Sequence, residues 1–138
     1  MAFRTTRPLR FGDCDPSGIA YYPSYLRILD GVLEDFFEAL GAPRAALIDE
    51  RRIGTPTLRL DLTFVHPGFQ GDRLDFLLTV SGLGRSSLDL EHEVSANGKV
   101  LWTARHRVVA TSLDTHQSHP WPDDIRAALT HHLETPDA

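Results

Sequence analysis

The most constraining feature of the chain is a run of apolar residues with helical spacing between Pro23 and Leu40. Tyr25, Leu29, Val32, Phe36 and Leu40 recur every three or four positions, and Ile28, Leu33 and Phe37 widen the stripe. Pro23 suits the first helical turn, where a missing N–H costs nothing, and Gly41 followed by Pro43 stops the helix. About eighteen residues at ~1.5 Å each give a helix near ~27 Å, long enough to cross a whole sheet. A stripe that wide has to be buried, so the rest of the chain must supply an apolar surface of similar length.

Strands supply it. In Thr57–Val65, Leu58, Leu60, Leu62 and Phe64 alternate with Arg59, Asp61 and Thr63, giving one apolar and one polar face. Leu74, Phe76, Leu78 and Val80 repeat the pattern after a Gly71-Asp72 turn, and Gly82 to Gly84 breaks that strand. Leu88–Ser95 and Lys99–Thr111 then read as a hairpin around Asn97-Gly98. A two-residue turn there would set Leu88 and Leu90 opposite Arg107 and Arg105, mixing the faces. A three-residue loop, Ala96-Asn97-Gly98 with Gly98 left-handed, pairs Leu88 with His106, Leu90 with Ala104 and Val94 with Val100. It also sets Asp89 against Arg105, and it is the expected register. A first strand near Arg4–Phe11 and a short amphipathic helix over Asp123–Glu134, carrying Ile125, Leu129 and Leu133, complete the elements. The sum is an α+β two-layer domain with about five mostly antiparallel strands and one long helix on one face. Free sheet edges, and more apolar residues than one helix covers, predict pairing of subunits.

Composition closes off several classes of function. At 138 residues, 41% hydrophobic and 24% charged, residues 1–138 read as one folded domain. A net charge of −5 with no run of Lys or Arg is wrong for gripping a nucleic-acid backbone. Lys99 is the only lysine, so an anionic ligand has to be met by arginines or backbone N–H groups. The single cysteine, Cys14, excludes an internal disulfide and a cysteine-rich zinc module, and fits a reducing compartment. No stretch approaches the ~20 apolar residues of a membrane helix, and Met1–Pro8 lacks the apolar core of a signal peptide. The expected location is the cytoplasm, with no membrane partner.

One segment stands out chemically, Arg10 to Tyr25. It places Asp13 and Asp15 in a turn-rich loop that runs into the N-terminus of the long helix. Asp before Pro and Gly next to Ser are turn formers, and turn chemistry alone accounts for such residues. The functional alternative is that helix N-termini present unpaired N–H groups and partial positive charge, beside which a carboxylate and a developing oxyanion both fit. Because Pro23 has no N–H, the free donors there belong to Tyr22 and the preceding loop.

The segment resembles the signature of the 4-hydroxybenzoyl-CoA thioesterases of the hotdog superfamily, in the Pseudomonas-type branch. The matching residues are Phe11-Gly12-Asp13-Cys14-Asp15-Pro16, Gly18-Ile19, Tyr22-Pro23, Tyr25 and Leu29-Asp30. Ile53-Gly54-Thr55-Pro56 matches the start of that family's second strand, and chain length and element order agree. The resemblance implies a hotdog fold, a sheet wrapped on one long helix, and hydrolysis of an aromatic acyl-CoA to free acid and CoA without a cofactor. It implies that Asp15 is the catalytic carboxylate, as nucleophile or as general base, and that the Tyr22 N–H polarises the thioester carbonyl. It implies that Asp30 meets a hydroxyl on the acyl ring and that Thr55 lies against the substrate. It places Arg85, in the turn Gly84-Arg85-Ser86-Ser87, where the family has a basic cluster for the phosphates of CoA, although Arg85 alone remains of that cluster here and also reads as an ordinary surface arginine. It implies homodimers, or homotetramers built as dimers of dimers, with Asp15 from one chain and pocket residues from the other.

The chemistry agrees with what the chain lacks. A thiol leaving group of pKa about 8.5 departs as thiolate without a general acid, so one carboxylate plus oxyanion donors suffice and no triad is needed. Cys14 is a poor rival nucleophile, because its flanking carboxylates disfavour the thiolate. Hydratases and dehydratases of the superfamily use a histidine that this loop does not carry. Short-chain acyl-CoA thioesterases of the same superfamily usually have histidine where Tyr22 stands. They and a non-catalytic acyl-CoA-binding module are the alternative readings. The seven histidines show no metal-binding spacing. In the expected register His92 and His106 stand about four residues, ~13 Å, apart along the strands, too far for one metal.

Overall fold

The computed structural model describes residues 1–134, so residues 135–138 of the expected domain lie outside the described residues. Five strands, β1 (Phe3–Pro8), β3 (Thr57–Phe64), β4 (Arg73–Leu83), β5 (Ser87–Ala96) and β6 (Lys99–Val109), form one sheet in the order β1-β4-β5-β6-β3. Every neighbouring pair is antiparallel. Two-residue strands β2 (Ile53–Gly54) and β7 (Thr111–Ser112) pair separately. Three α-helices complete the described residues: α1 (Tyr22–Ala39), α2 (Arg44–Arg51) and α3 (Asp123–His132).

The expected layers are the observed ones. Helix α1 buries Tyr25, Leu29, Val32, Leu33, Phe36 and Phe37, while Ile28 and Leu40 flank that stripe half-buried. Opposite it stand Leu74, Phe76, Leu78 and Val80 of β4, Leu88, Leu90 and Val94 of β5, and Trp102, Ala104 and Val108 of β6. At about 1.5–3 kcal/mol for each large apolar side chain buried, this contact is the main source of stability. Pro8 ends β1 early, and the chain turns at Phe11–Asp13 instead of continuing as a strand to Phe11. Helix α2 and the β2–β7 pair were not expected from the sequence; each is too short for its apolar spacing to show.

The β5–β6 hairpin corrects the expected register. Asn97 (φ 53°) and Gly98 (φ 76°) are both left-handed and form a two-residue turn that pairs Ala96 with Lys99. A β-bulge follows: Ser95 faces Val100 but Val94 faces Trp102, so Leu101 is an extra residue on β6. Leu101 and Trp102 are consequently both buried, at 3% and 0% exposure. The shift of one residue sets Leu88 opposite Val108 and Leu90 opposite His106. The faces are kept apart by the bulge, not by a longer loop. Asp89 meets Arg107, not Arg105, through two hydrogen bonds of 2.6 and 2.9 Å.

This register also corrects the separation of the histidines. His92 Nε2 lies 3.2 Å from His106 Nδ1 inside the core, and His106 Nε2 is 2.9 Å from Thr57 Oγ1. Burial holds both rings below the ordinary imidazole range, His92 down to about 3. Among the described residues no group of three His, Cys, Asp or Glu side chains is placed to hold a metal ion.

Candidate active site

The Asp15 loop is a narrow hairpin. Asp15 N–H donates to Ile19 O (2.9 Å), Gly18 N–H to Asp15 O (3.0 Å) and Tyr21 N–H to Asp13 O (2.9 Å). Gly18 adopts φ +83°, the left-handed conformation that glycine reaches without strain. The hairpin is stitched to the segment after β3, because Ala20 N–H donates to Gly68 O (2.9 Å) and Gln70 N–H to Gly18 O (3.0 Å). Gly68 is required by contact: a Cβ there would lie 2.3 Å from the Tyr25 hydroxyl. Helix α1 starts directly after the hairpin with Pro23 in its first turn and no side-chain cap. The Tyr22 N–H therefore points from the helix end without an acceptor among the described residues.

The two acids divide their tasks. Asp13 Oδ2 accepts from Arg10 N–H (2.9 Å) and closes the turn at Phe11–Asp13. Asp15 Oδ1 accepts from Ser17 N–H (2.8 Å) and from the Ser17 hydroxyl. The Ser17 hydroxyl, then its N–H, hold the Asp15 carboxyl below the usual carboxylate range, with a smaller contribution from the Ile19 backbone. Asp15 is thus an anion at neutral pH, anchored at one oxygen. Burial, then Asp13 and Asp15, push the Cys14 thiol up, so thiolate is suppressed there as the sequence implied.

Beside the hairpin lies a cavity of about 300 Å³ whose walls include Ile19, Ala20, Tyr22, Tyr25, Phe64 and His66. Phe64 stacks on Tyr25 with ring centres 6.3 Å apart and meets Tyr22 edge-on at 6.4 Å. Asp15 does not itself line this cavity; Ile19 and Ala20, across the hairpin from it, do. A larger concavity of about 640 Å³ occupies the outer sheet face among Asp61, Glu91, Glu93 and Arg105. That face carries solvated, paired charges and no helix end, so the smaller cavity is the better place for polarising a carbonyl.

The remaining candidates form a second group. Asp30 is exposed on α1, eight residues or ~12 Å along the axis from Tyr22. Its Oδ1 accepts from Arg44 Nη2 at 3.0 Å and its carbonyl from Nη1 at 3.3 Å. Arg44 and Thr55 share a separate groove of about 400 Å³ with Leu47, Ile53 and Leu113. Within one chain, Asp15 and Tyr22 belong to one hairpin-to-helix joint, of which only Tyr22 lines the first cavity, while Thr55 lines the second groove and Asp30 joins it only through Arg44. Arg85 is exposed at the β4–β5 turn and makes no ion pair among the described residues. Its carbonyl accepts from Trp121 N–H (3.0 Å) and Arg126 Nη2 (3.1 Å), which adds a second arginine to that turn. Phe64 and His66 were missed as site residues. Phe64 sits in an alternating strand that reads as core, and His66-Pro67-Gly68 reads as a plain loop.

Comparison with known proteins decides the family. Residues 9–129 match the model of the Thioesterase-like superfamily. The chain belongs to that superfamily. A 1,4-dihydroxy-2-naphthoyl-CoA hydrolase of Synechococcus elongatus is 27% identical over 125 residues, 90% of this chain and 92% of that protein. A 4-hydroxybenzoyl-CoA thioesterase of a Pseudomonas species is 33% identical over 89 residues, 63% of each chain. Among solved structures, a mutant 4-hydroxybenzoyl-CoA thioesterase complexed with 4-hydroxybenzoyl-CoA superposes with a TM-score of 0.86 at 26% identity, covering 93% of this chain and 98% of the other. A gentisyl-coenzyme A thioesterase superposes at 0.81 with 27% identity, over 93% and 99%. The expected hotdog fold and the expected thioester hydrolase are both met at the level of this family.

Proposed function

We propose that this thioesterase hydrolyses an aromatic acyl-CoA of the hydroxybenzoyl type to the free acid and CoA. The reading rests above all on one hairpin-to-helix joint: it carries an ionised Asp15 carboxylate in the hairpin and an unpartnered Tyr22 N–H at the helix end, and Ile19, Ala20 and Tyr22 of that joint line an aromatic-walled cavity. The relatives' aromatic acyl-CoA substrates support the same class.

In this mechanism the thioester carbonyl oxygen accepts from Tyr22 N–H, and the positive end of α1 stabilises the charge that grows on it. Asp15 either attacks the carbonyl carbon, expelling CoA thiolate and leaving a mixed anhydride that water opens, or takes a proton from the attacking water. Arg85 meets the CoA phosphates. Subunits pair as dimers or dimers of dimers. Leu58 and Phe64, exposed by 67% and 52% on the free edge strand β3, support that contact. Pairing adds Asp30 and Thr55 of a second copy to the substrate's surroundings, with Asp30 facing a ring hydroxyl.

A thiol-release assay over a panel of acyl-CoAs tests the reading. Benzoyl-type thioesters should turn over faster than short-chain ones, and Asp15→Asn should lower kcat/KM by about 10²–10⁴-fold. Wild-type turnover by Asp15→Asn refutes the role of Asp15. Tight CoA binding with no turnover of any thioester indicates a binding module instead. Asp30→Ala should weaken hydroxylated substrates selectively.

A further inference from the structure

His66 is held in place twice by the bulge in β6. Its N–H donates to Leu101 O at 3.1 Å, beside the Val65 N–H to the same carbonyl at 2.8 Å, and its ring Nδ1 lies 3.1 Å from Val100 O. A carbonyl can only accept, so Nδ1 carries the proton. In the neutral ring Nε2 is then a bare lone pair, an acceptor and not a donor. Among the described residues nothing donates to it, and His66 forms part of the cavity wall with Tyr22 and Phe64. The other polar wall groups differ in kind. The Tyr25 hydroxyl is buried without a partner against Gly68, and the Tyr22 N–H is a donor suited to the thioester oxygen. With Nδ1 pinned on the Val100 carbonyl, His66 adds to this wall a ring nitrogen that can only accept, where the tyrosine hydroxyls can also donate.

We propose that His66 is a specificity-determining residue, whose Nε2 accepts a hydrogen bond from a hydroxyl on the aromatic acyl group. This rests on the thioesterase reading of the site and extends it. A phenol hydroxyl donates to Nε2, whereas an unsubstituted ring leaves that lone pair desolvated and unpaired, which costs affinity. A methoxy group fills the same space but has no proton to give. His66 lies on the chain that supplies Asp15 and Tyr22, so its action is separable from that of Asp30, which Arg44 engages outside this cavity.

The test compares benzoyl-CoA, the three hydroxybenzoyl-CoA isomers and the matching methoxy compounds at pH 8, with the full-length protein. Wild type should prefer at least one hydroxy isomer over both benzoyl-CoA and its methoxy counterpart. His66→Phe, which keeps an aromatic ring and removes the acceptor, should cut that preference about tenfold, read as the ratio of kcat/KM for the hydroxy isomer to kcat/KM for benzoyl-CoA. His66→Gln, whose amide oxygen is again an acceptor, should restore part of it. No hydroxyl preference in the wild type, or one that survives His66→Phe, overturns the proposal while turnover upholds the thioesterase reading. Binding of unreactive S-phenacyl-CoA thioethers, with and without ring hydroxyls, gives the second readout. A hydroxyl-dependent gain in affinity that His66→Phe abolishes supports His66 even if no thioester is turned over. Equal affinities in both proteins sink it.

Discussion

The two ends of α1 carry similar numbers of aromatic side chains and treat them in opposite ways. Near Ala39, Phe36 and Phe37 are fully buried. Phe3 meets Phe36 at 5.6 Å, and Trp121, just before α3, lies 6.4 Å from Phe37. Near Tyr22, the rings of Tyr21, Tyr22, Phe64 and Phe69 remain 52–63% exposed. The closed end is sealed by β1 and α3. The open end is bounded by a hairpin loop and a free sheet edge, so its aromatic surface is available to a ligand and to a second copy. Close packing and the candidate site thus lie at opposite ends of one helix, and the substitutions below test that division.

The largest effect falls at the closed end. Phe36→Ala should cost about 3–5 kcal/mol in urea unfolding, because the cavity it leaves has packed neighbours on every side. Phe64→Ala, half exposed, should cost less than about 1 kcal/mol in dilute protein and should instead weaken self-association in sedimentation velocity. Equal unfolding costs at low concentration would break the comparison.

The buried histidine pair lies between the two ends and makes the core pH-sensitive. The folded His92 has a pKa of about 3, against ~6.5 for an unfolded histidine, so between those values the unfolded chain binds the extra proton. Its effect on stability is absent above about pH 6.5 and becomes increasingly destabilising as pH falls toward 3. Between pH 7 and pH 4.5 the loss should be about 2 kcal/mol. His92→Leu should flatten that part of the profile. An unchanged slope in the variant would mean that carboxylates alone set the acid limb.

Legibility in the sequence follows the same division. Helix α1 and the inner faces of β4, β5 and β6 are readable because burial on one side writes a period into the residues. The Leu101 bulge is not readable. Asn97-Gly98 is the residue pair of a two-residue turn, but the alternation of faces argued for a three-residue loop, because nothing in the residue types marks where the register slips by one. That slip brings His92 to His106 and puts the Val100 and Leu101 carbonyls where they hold His66. Of the candidate site, the Asp15 hairpin and the free Tyr22 N–H follow from Pro16, Gly18 and Pro23, whose backbone preferences are local. Phe64 and His66 escape because they come to line the cavity only through the contact between the segment after β3 and the hairpin, which no local pattern encodes. Asp30 and Thr55 stand apart from Asp15 within one chain, and a grouping that depends on the proposed pairing of subunits leaves no local pattern in the sequence.

The smallest expected effect is the most specific to the open end. The Ser17 hydroxyl is the largest of the influences that hold Asp15 below the usual carboxylate range. Ser17→Ala removes it and keeps the Ser17-position N–H, so the Asp15 pKa should rise. If Asp15 is the carboxylate of the proposed mechanism, the acid limb of kcat/KM reports its ionisation in the free enzyme and should move to higher pH with the plateau unchanged. Ser17 is exposed, and unfolding free energy should change by less than about 0.5 kcal/mol. A lowered plateau with an unmoved limb would mean that Ser17 shapes the hairpin without tuning Asp15. An unmoved limb together with an unchanged plateau would mean that the group titrating in the reaction is not Asp15.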